Sequence, residues 1–145
     1  MKYNYWPVNY DDIDYDMNIE LKKGIFMSKV YQGSCHCGAV QFSFTGEEIK
    51  KGVRCNCSIC IRKGAIMSAE MLPEQELKIE APDDALGLYQ FGNKNAKHFF
   101  CKKCGIYTFH ETARKAGYYR VNLGCIEDVD ALALEVDIFD GKDLL

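Results

Sequence analysis

Cys55, Cys57 and Cys60 crowd into the stretch RCNCSICIRKG, residues 54–64. Thiols this close in sequence are poorly placed to bridge one another and well placed to grip one metal ion. Two further pairs each precede a glycine: Cys35 and Cys37 before Gly38, Cys101 and Cys104 before Gly105. Zinc knuckles are built in this way, because a tight turn brings backbone amides toward the sulfurs and glycine permits the turn. Together the two pairs supply four thiolates, a closed structural zinc site with each sulfur about 2.3 Å from the metal. The halves lie far apart in the chain, so the ion would staple the start of the domain to its later half.

Three thiolates then remain at Cys55, Cys57 and Cys60, the ligand count of a catalytic zinc that keeps an open position. Residues able to close that position are Cys125, His36, His98 and His110. His36 lies between two ligands of the other ion and should point away from it. His98 and His110 flank the second knuckle in expected strands, where packing or surface roles are commoner. Cys125 follows a strand, and a free cysteine there is commonly a small buried hydrophobe. Zinc carrying three cysteinates has a net charge of −1 and is poor at making hydroxide from water. It suits a soft thiol, whose proton it helps remove. A thiolate so formed is a nucleophile for an electrophilic carbon such as an aldehyde. Arg54, Arg62 and Lys63 would offset the negative charge or hold an acidic substrate's carboxylates, a solvated turn being their plainer role. Tyr107, His110 and Arg120 are conceivable acids for the developing alkoxide.

The elements that must position these residues read as short strands. From Val30 onward apolar residues recur mostly with period two, the mark of half-buried strands. Val40, Phe42 and Phe44 alternate with Gln41 and Ser43, and Leu77 and Ile79 with charged neighbours. Leu86, Leu88 and Phe91 form a strand ending near Gly92, and AKHFFC, GIYTFHE, YYRVNLG and EVDIFD are each flanked by turn residues. Helical periodicity is confined to a turn after Cys57 and another around residues 128–132. Pro73 and Pro82 fall between segments. The expectation is one mainly β domain over residues 27–145, without repeats or an internal linker.

Residues 1–26 stand apart, with Tyr3, Tyr5, Trp6, Tyr10 and Tyr15 set among Asp11, Asp12, Asp14 and Asp16. Two readings stand: a poorly ordered extension from an upstream start, or a segment lying across the domain or a neighbouring subunit, as in a homo-oligomer. Aromatic density favours the second. With 48% hydrophobic and 27% charged residues the composition is globular. A net charge of −3 gives no sign of nucleic-acid binding. No run approaches the roughly 20 apolar residues of a membrane span, and the aspartate-studded start does not resemble a signal peptide. A cytoplasmic protein with reduced thiols is the expectation, which again favours metal ligands over disulfides.

GSCHCGAVQFSF, RCNCSICIRKGA and HFFCKKCGIYTFH, in that order, resemble the glutathione-dependent formaldehyde-activating enzyme family, also described as the centromere protein V family. The resemblance runs from about Val30 to about Asp140 and rests on seven spaced cysteines with their flanking glycines. It implies a Mss4-like fold of small β-sheets around a structural zinc held by Cys35, Cys37, Cys101 and Cys104. It also implies a catalytic zinc at Cys55, Cys57 and Cys60, where a site of only three thiolates can lose its ion. The family's named reaction condenses formaldehyde with glutathione to S-hydroxymethylglutathione, a carbon–sulfur lyase in reverse. Glutathione or another small thiol and a small aldehyde are therefore the expected partners. Formaldehyde reacts with thiols unaided, so a catalyst need only raise the thiolate fraction and orient the attack. Two other readings are open: a non-catalytic, zinc-stabilised protein-binding module on the same fold, and a redox enzyme using Cys125.

Overall fold

A computed structural model describes residues 28–145, and the segment read as an extension, residues 1–26, lies outside them. The chain runs β1 (Lys29–Ser34), β2 (Gln41–Gly46), β3 (Lys51–Cys55), α1 (Cys60–Lys63), β4 (Met67–Ser68), β5 (Leu72–Pro73), β6 (Lys78–Glu80) and β7 (Leu86–Tyr89). It continues through β8 (Lys97–Cys101), β9 (Tyr107–Glu111), β10 (Tyr118–Val121), β11 (Glu135–Phe139) and α2 (Gly141–Leu144). Three small sheets result, with strand orders β1-β2-β6, β5-β10-β9-β8-β7 and β11-β3-β4. This is a mainly β protein of the Mss4-like kind. Among the described residues no helix is long and apolar enough to cross a membrane.

Alternation builds the core. Tyr31, Phe42 and Phe44 turn inward from the first sheet while Gln32, Gln41 and Thr45 stay outside. Phe42 meets Phe109 of the five-stranded sheet edge to face, ring centroids 5.8 Å apart. Phe109, Val121 and Leu123 are fully buried there. Truncating a buried phenylalanine of this kind costs about 3–5 kcal/mol, so the contact between sheets is a main source of stability. The third sheet is tied on by Arg120, whose Nη1 donates to the carbonyls of Ser68 at 2.5 Å and Ala69 at 2.6 Å.

Register sorts the five-stranded sheet into two faces. Phe99, Phe109 and Val121 lie opposite one another across three strands, an apolar row on the core side that runs out to the half-exposed Leu88 on the edge strand β7. One residue along, Tyr89, His98, His110 and Arg120 form a polar row on the other face. A bulge joins Tyr107 to that polar row. Phe99 pairs with Phe109 but Phe100 pairs with Tyr107, so Thr108 is an extra residue in β9. Bulges re-aim side chains: Thr108 and Phe109 are both fully buried, while Tyr107 and His110 turn together to the opposite face.

Three details differ from the sequence reading. Residues 128–132 form turns and no helix, because Asp130 accepts hydrogen bonds from the amides of Leu132 and Ala133. The strand holding Leu86 and Leu88 ends at Tyr89, before Phe91. Pro73 lies inside the two-residue β5, at the sheet edge, where its missing N–H breaks no ladder.

Candidate metal centre and cavity

The turns β1–β2 and β8–β9 each present a cysteine pair. At both, a glycine in a left-handed conformation closes the turn: Gly38 with φ 79° and Gly105 with φ 78°. The Gly38 and Gly105 amides donate back to the carbonyls of Cys35 and Cys101, at 3.1 and 2.8 Å. The two turns meet, and the sulfurs of Cys35, Cys37, Cys101 and Cys104 all lie within 4.8 Å of one another. Cys37 Sγ is 3.7 Å from both Cys35 Sγ and Cys101 Sγ. A tetrahedral ion with bonds of 2.3 Å would set its sulfurs about 3.8 Å apart, so the cluster has the dimensions of a four-thiolate site. Amides already favour ionised sulfur here. The N–H groups of Cys37 and Ile106 bring the Cys104 thiol down to about 6.

A second group, Cys55, Cys57 and Cys60, also falls within 4.8 Å, and no fourth described cysteine, histidine or carboxylate joins it. Cys55 ends β3, Cys57 lies in the turn that follows, and Cys60 opens α1. The parallel pairing of β11 with β3 sets Phe139 beside Cys55, which carries the next residues onto the cluster. Asn56 locks them there: its Nδ2 donates to Asp140 Oδ1 and its Oδ1 accepts from the Lys142 amide, both at 2.9 Å. Gly141 then lies directly against Cys55 Sγ, and that sulfur accepts from the Cys57 amide at 3.4 Å. A hydrogen bond from Cys60 holds the Cys55 thiol near 6. The same bond, with burial, pushes the Cys60 thiol far above the usual thiol range. Three sulfurs this close cannot all ionise unless a cation neutralises them. The donor set therefore fits a thiophilic metal ion.

This group opens on a cavity of about 910 Å³, also lined by Lys63, His98 and Tyr107. His110 and Arg120 reach the same space. Burial holds the His98 imidazole down to about 4 and that of His110 to about 3, so both are neutral at pH 7. The Tyr107 hydroxyl is hydrogen-bonded to His110 Nδ1. Burial, reinforced by the neighbouring cysteines, pushes that phenol well above its usual value.

A family model described as glutathione-dependent formaldehyde-activating enzyme matches residues 30–142. The chain belongs to that family. It is also similar to a Rhodobacter sphaeroides protein of known crystal structure. The two are 38% identical, over 74% of this chain and 99% of that one, with a TM-score of 0.67.

Within this formaldehyde-activating family match, the residues singled out from the sequence separate by position. His36 is exposed, and neither His98 nor His110 joins a cysteine group. Cys125 lies apart from both groups, its thiol donating to the Tyr107 carbonyl at 3.7 Å. Burial, with the charges of Cys35 and Cys104, raises it to about 11, which disfavours the thiolate a redox nucleophile needs. Arg54 and Arg62 brace the turn by donating to the carbonyls of Gly64 and Ser58. Of the three basic residues only Lys63 lines the cavity. Sequence reading missed Asn56, Asp140 and Gly141, whose one local signal was an Asp-Gly turn pair at the end of EVDIFD. It also missed the bulge at Thr108, which leaves no compositional trace.

Proposed function

We propose that this protein is a zinc-dependent carbon–sulfur lyase. On this reading it joins a small thiol, glutathione or a relative, to a small aldehyde such as formaldehyde, or releases the two from their adduct. Cys35, Cys37, Cys101 and Cys104 would hold a structural zinc, and Cys55, Cys57 and Cys60 a catalytic one. The observation that carries the reading is the three-sulfur group without a fourth protein ligand among the described residues, set in the wall of a large cavity. Zinc bound there would supply an open position that favours the thiolate form of an incoming thiol.

The chemistry balances simply. The thiol loses its proton, a sulfur–carbon bond forms, the carbonyl π pair moves to oxygen, and that oxygen gains a proton. The reverse direction breaks the same bond. Tyr107 is the residue suited to hold the proton for the oxygen, since it lines the cavity and its phenol stays protonated. His110, neutral and buried, fixes the phenol by its hydrogen bond. The lysine ammonium 3.4 Å from the Tyr107 ring centroid would stabilise a transient phenolate. Residues 27–145 would act as one unit, with residues 1–26 appended, in the reducing cytoplasm.

The test mixes the zinc-loaded protein with glutathione and formaldehyde and follows adduct exchange by NMR. Exchange well above the buffer rate, abolished by Cys57→Ser, is expected. A rate equal to buffer, with two tightly held zinc ions and no exchangeable position, would instead favour a zinc-stabilised binding module.

A further inference from the structure

Two polar side chains that face the cavity lack a hydrogen-bond partner among the described residues. His98 is 4% exposed, and neither ring nitrogen has a hydrogen-bond partner among the described residues. Lys63 Nζ is likewise buried without a hydrogen-bond partner there, though it rests on the face of the Tyr107 ring. The ammonium lies 3.4 Å from the Tyr107 ring centroid, and the His98 ring centroid is 6.4 Å from that of the same phenol. Both side chains line the space that the three cysteines also border.

Buried polar groups are nearly always paired, because an unpaired one forfeits its hydration for nothing. Neighbours on the same face obey the rule: His110 is bonded to Tyr107, and Arg120 to Ser68 and Ala69. The exceptions sit together and face the cavity. We infer that Lys63 and His98 form a carboxylate-binding subsite for a molecule that reacts at Cys55, Cys57 and Cys60. The inference rests on the reaction proposed above and names a substrate class for it. The ammonium supplies the charge, and the imidazole supplies an N–H donor, which suits the two oxygens of a carboxylate. Phe91 stacks on His98 at 5.9 Å and sets the ring plane. A purely local duty for Lys63, balancing the nearby thiolates, leaves the bare imidazole of His98 unexplained. The carboxylate belongs either to the thiol or to the carbonyl compound.

Calorimetric titration of the zinc-loaded, full-length protein with acetate, and with acetamide as its uncharged isostere, reads the subsite without turnover. Acetate should bind about tenfold or more tightly than acetamide. Lys63→Met and His98→Phe should each weaken acetate by about tenfold, with wild-type zinc content. Equal affinity for the two probes overturns the subsite. So does acetate affinity unchanged in both variants, which would mean that the metal alone holds it. Should either variant fail to fold, wild-type NMR decides: contacts from the acetate methyl to the His98 ring protons support the subsite, and none at saturating acetate overturns it. Two further arms locate the carboxylate. Weaker binding of glutathione diethyl ester than of glutathione puts it on the thiol. Tighter binding of glyoxylate than of formaldehyde puts it on the carbonyl partner, and indifference to both overturns the proposal. Acetate binding without any thiol–aldehyde exchange would keep the subsite and sink the proposed reaction.

Discussion

Gly141 lies so close to the sulfur of Cys55 that it has no room for a side chain. A Cβ built on Gly141 would collide with Cys55 Sγ and come within 3.1 Å of Cys57 Cβ. The contact joins the last turn of the described chain to the first cysteine of the three-sulfur group, 86 residues away in sequence. Parallel pairing of β11 with β3 and the Asn56 clamp make it unavoidable.

Gly141→Ala should therefore displace Cys55 without touching the core. Because a group that positions metal ligands typically changes affinity about 10- to 100-fold, the variant should lose the second metal on dilution. The four-cysteine metal and the melting temperature should stay close to wild type. Metal counts by mass spectrometry under native conditions check this, and full retention of two ions would refute it.

The two cysteine groups should fail differently. Cys101 is fully buried between the β1–β2 and β8–β9 turns, and a structural zinc contributes binding free energy on the order of 10 kcal/mol directly to folding. Cys101→Ser should unfold or aggregate the protein. Cys57→Ser touches a half-buried edge of the cavity and should shift stability by no more than about 1 kcal/mol while abolishing the second metal. Equal losses in a urea titration of the two variants would count against assigning them separate roles.

Partition of the cysteines was legible because it is a local matter: spacing and a following glycine specify a knuckle wherever the fold places it. The β character was legible for the same reason, since period two is written into each strand. What was hidden depends on distant or broken patterns. Strict alternation along YTFHE puts Tyr107 and His110 on opposite faces; the extra residue Thr108 puts them on one and lets them bond. The role of Gly141 depends on a parallel pairing between β3 and β11, which no sequence period announces. Lys63 read the same as Arg62, and only the path of α1 turns one to the cavity and the other to the Ser58 carbonyl.

Acid should destabilise the fold through its buried histidines. His98 and His110 are held neutral down to about 4 and about 3, whereas an unfolded histidine takes up its proton near 6.5. Below that value the unfolded chain binds more protons than the folded one, so stability falls as pH drops from about 6.5 toward the folded values. Each neutral histidine adds at most about 1.4 kcal/mol per pH unit to that slope. His98→Phe, which keeps the stack on Phe91, should flatten it by one histidine's share between pH 6 and 4.5. Urea midpoints of the two proteins across that range measure the difference, which removes acid loss of metal common to both. Parallel curves would show that His98 is not held neutral.

Tyr107 should matter to rate and not to metal. Its hydroxyl, bonded to His110, stays protonated at neutral pH because burial disfavours the phenolate. The oxygen left when a thiolate adds to an aldehyde needs that proton, and a positioned acid is worth about 100-fold in rate. Removing the hydroxyl leaves the ring, its place beside Lys63 and all seven clustered cysteines intact. Tyr107→Phe should then bind two metals and fold as wild type, yet exchange thiol and aldehyde about 100-fold more slowly, a barrier higher by about 2.7 kcal/mol. A general acid supplied from buffer should restore part of the rate to the variant and none to wild type. Unaltered exchange in Tyr107→Phe, or a loss that buffer acids never restore, would assign the proton to solvent or to another group.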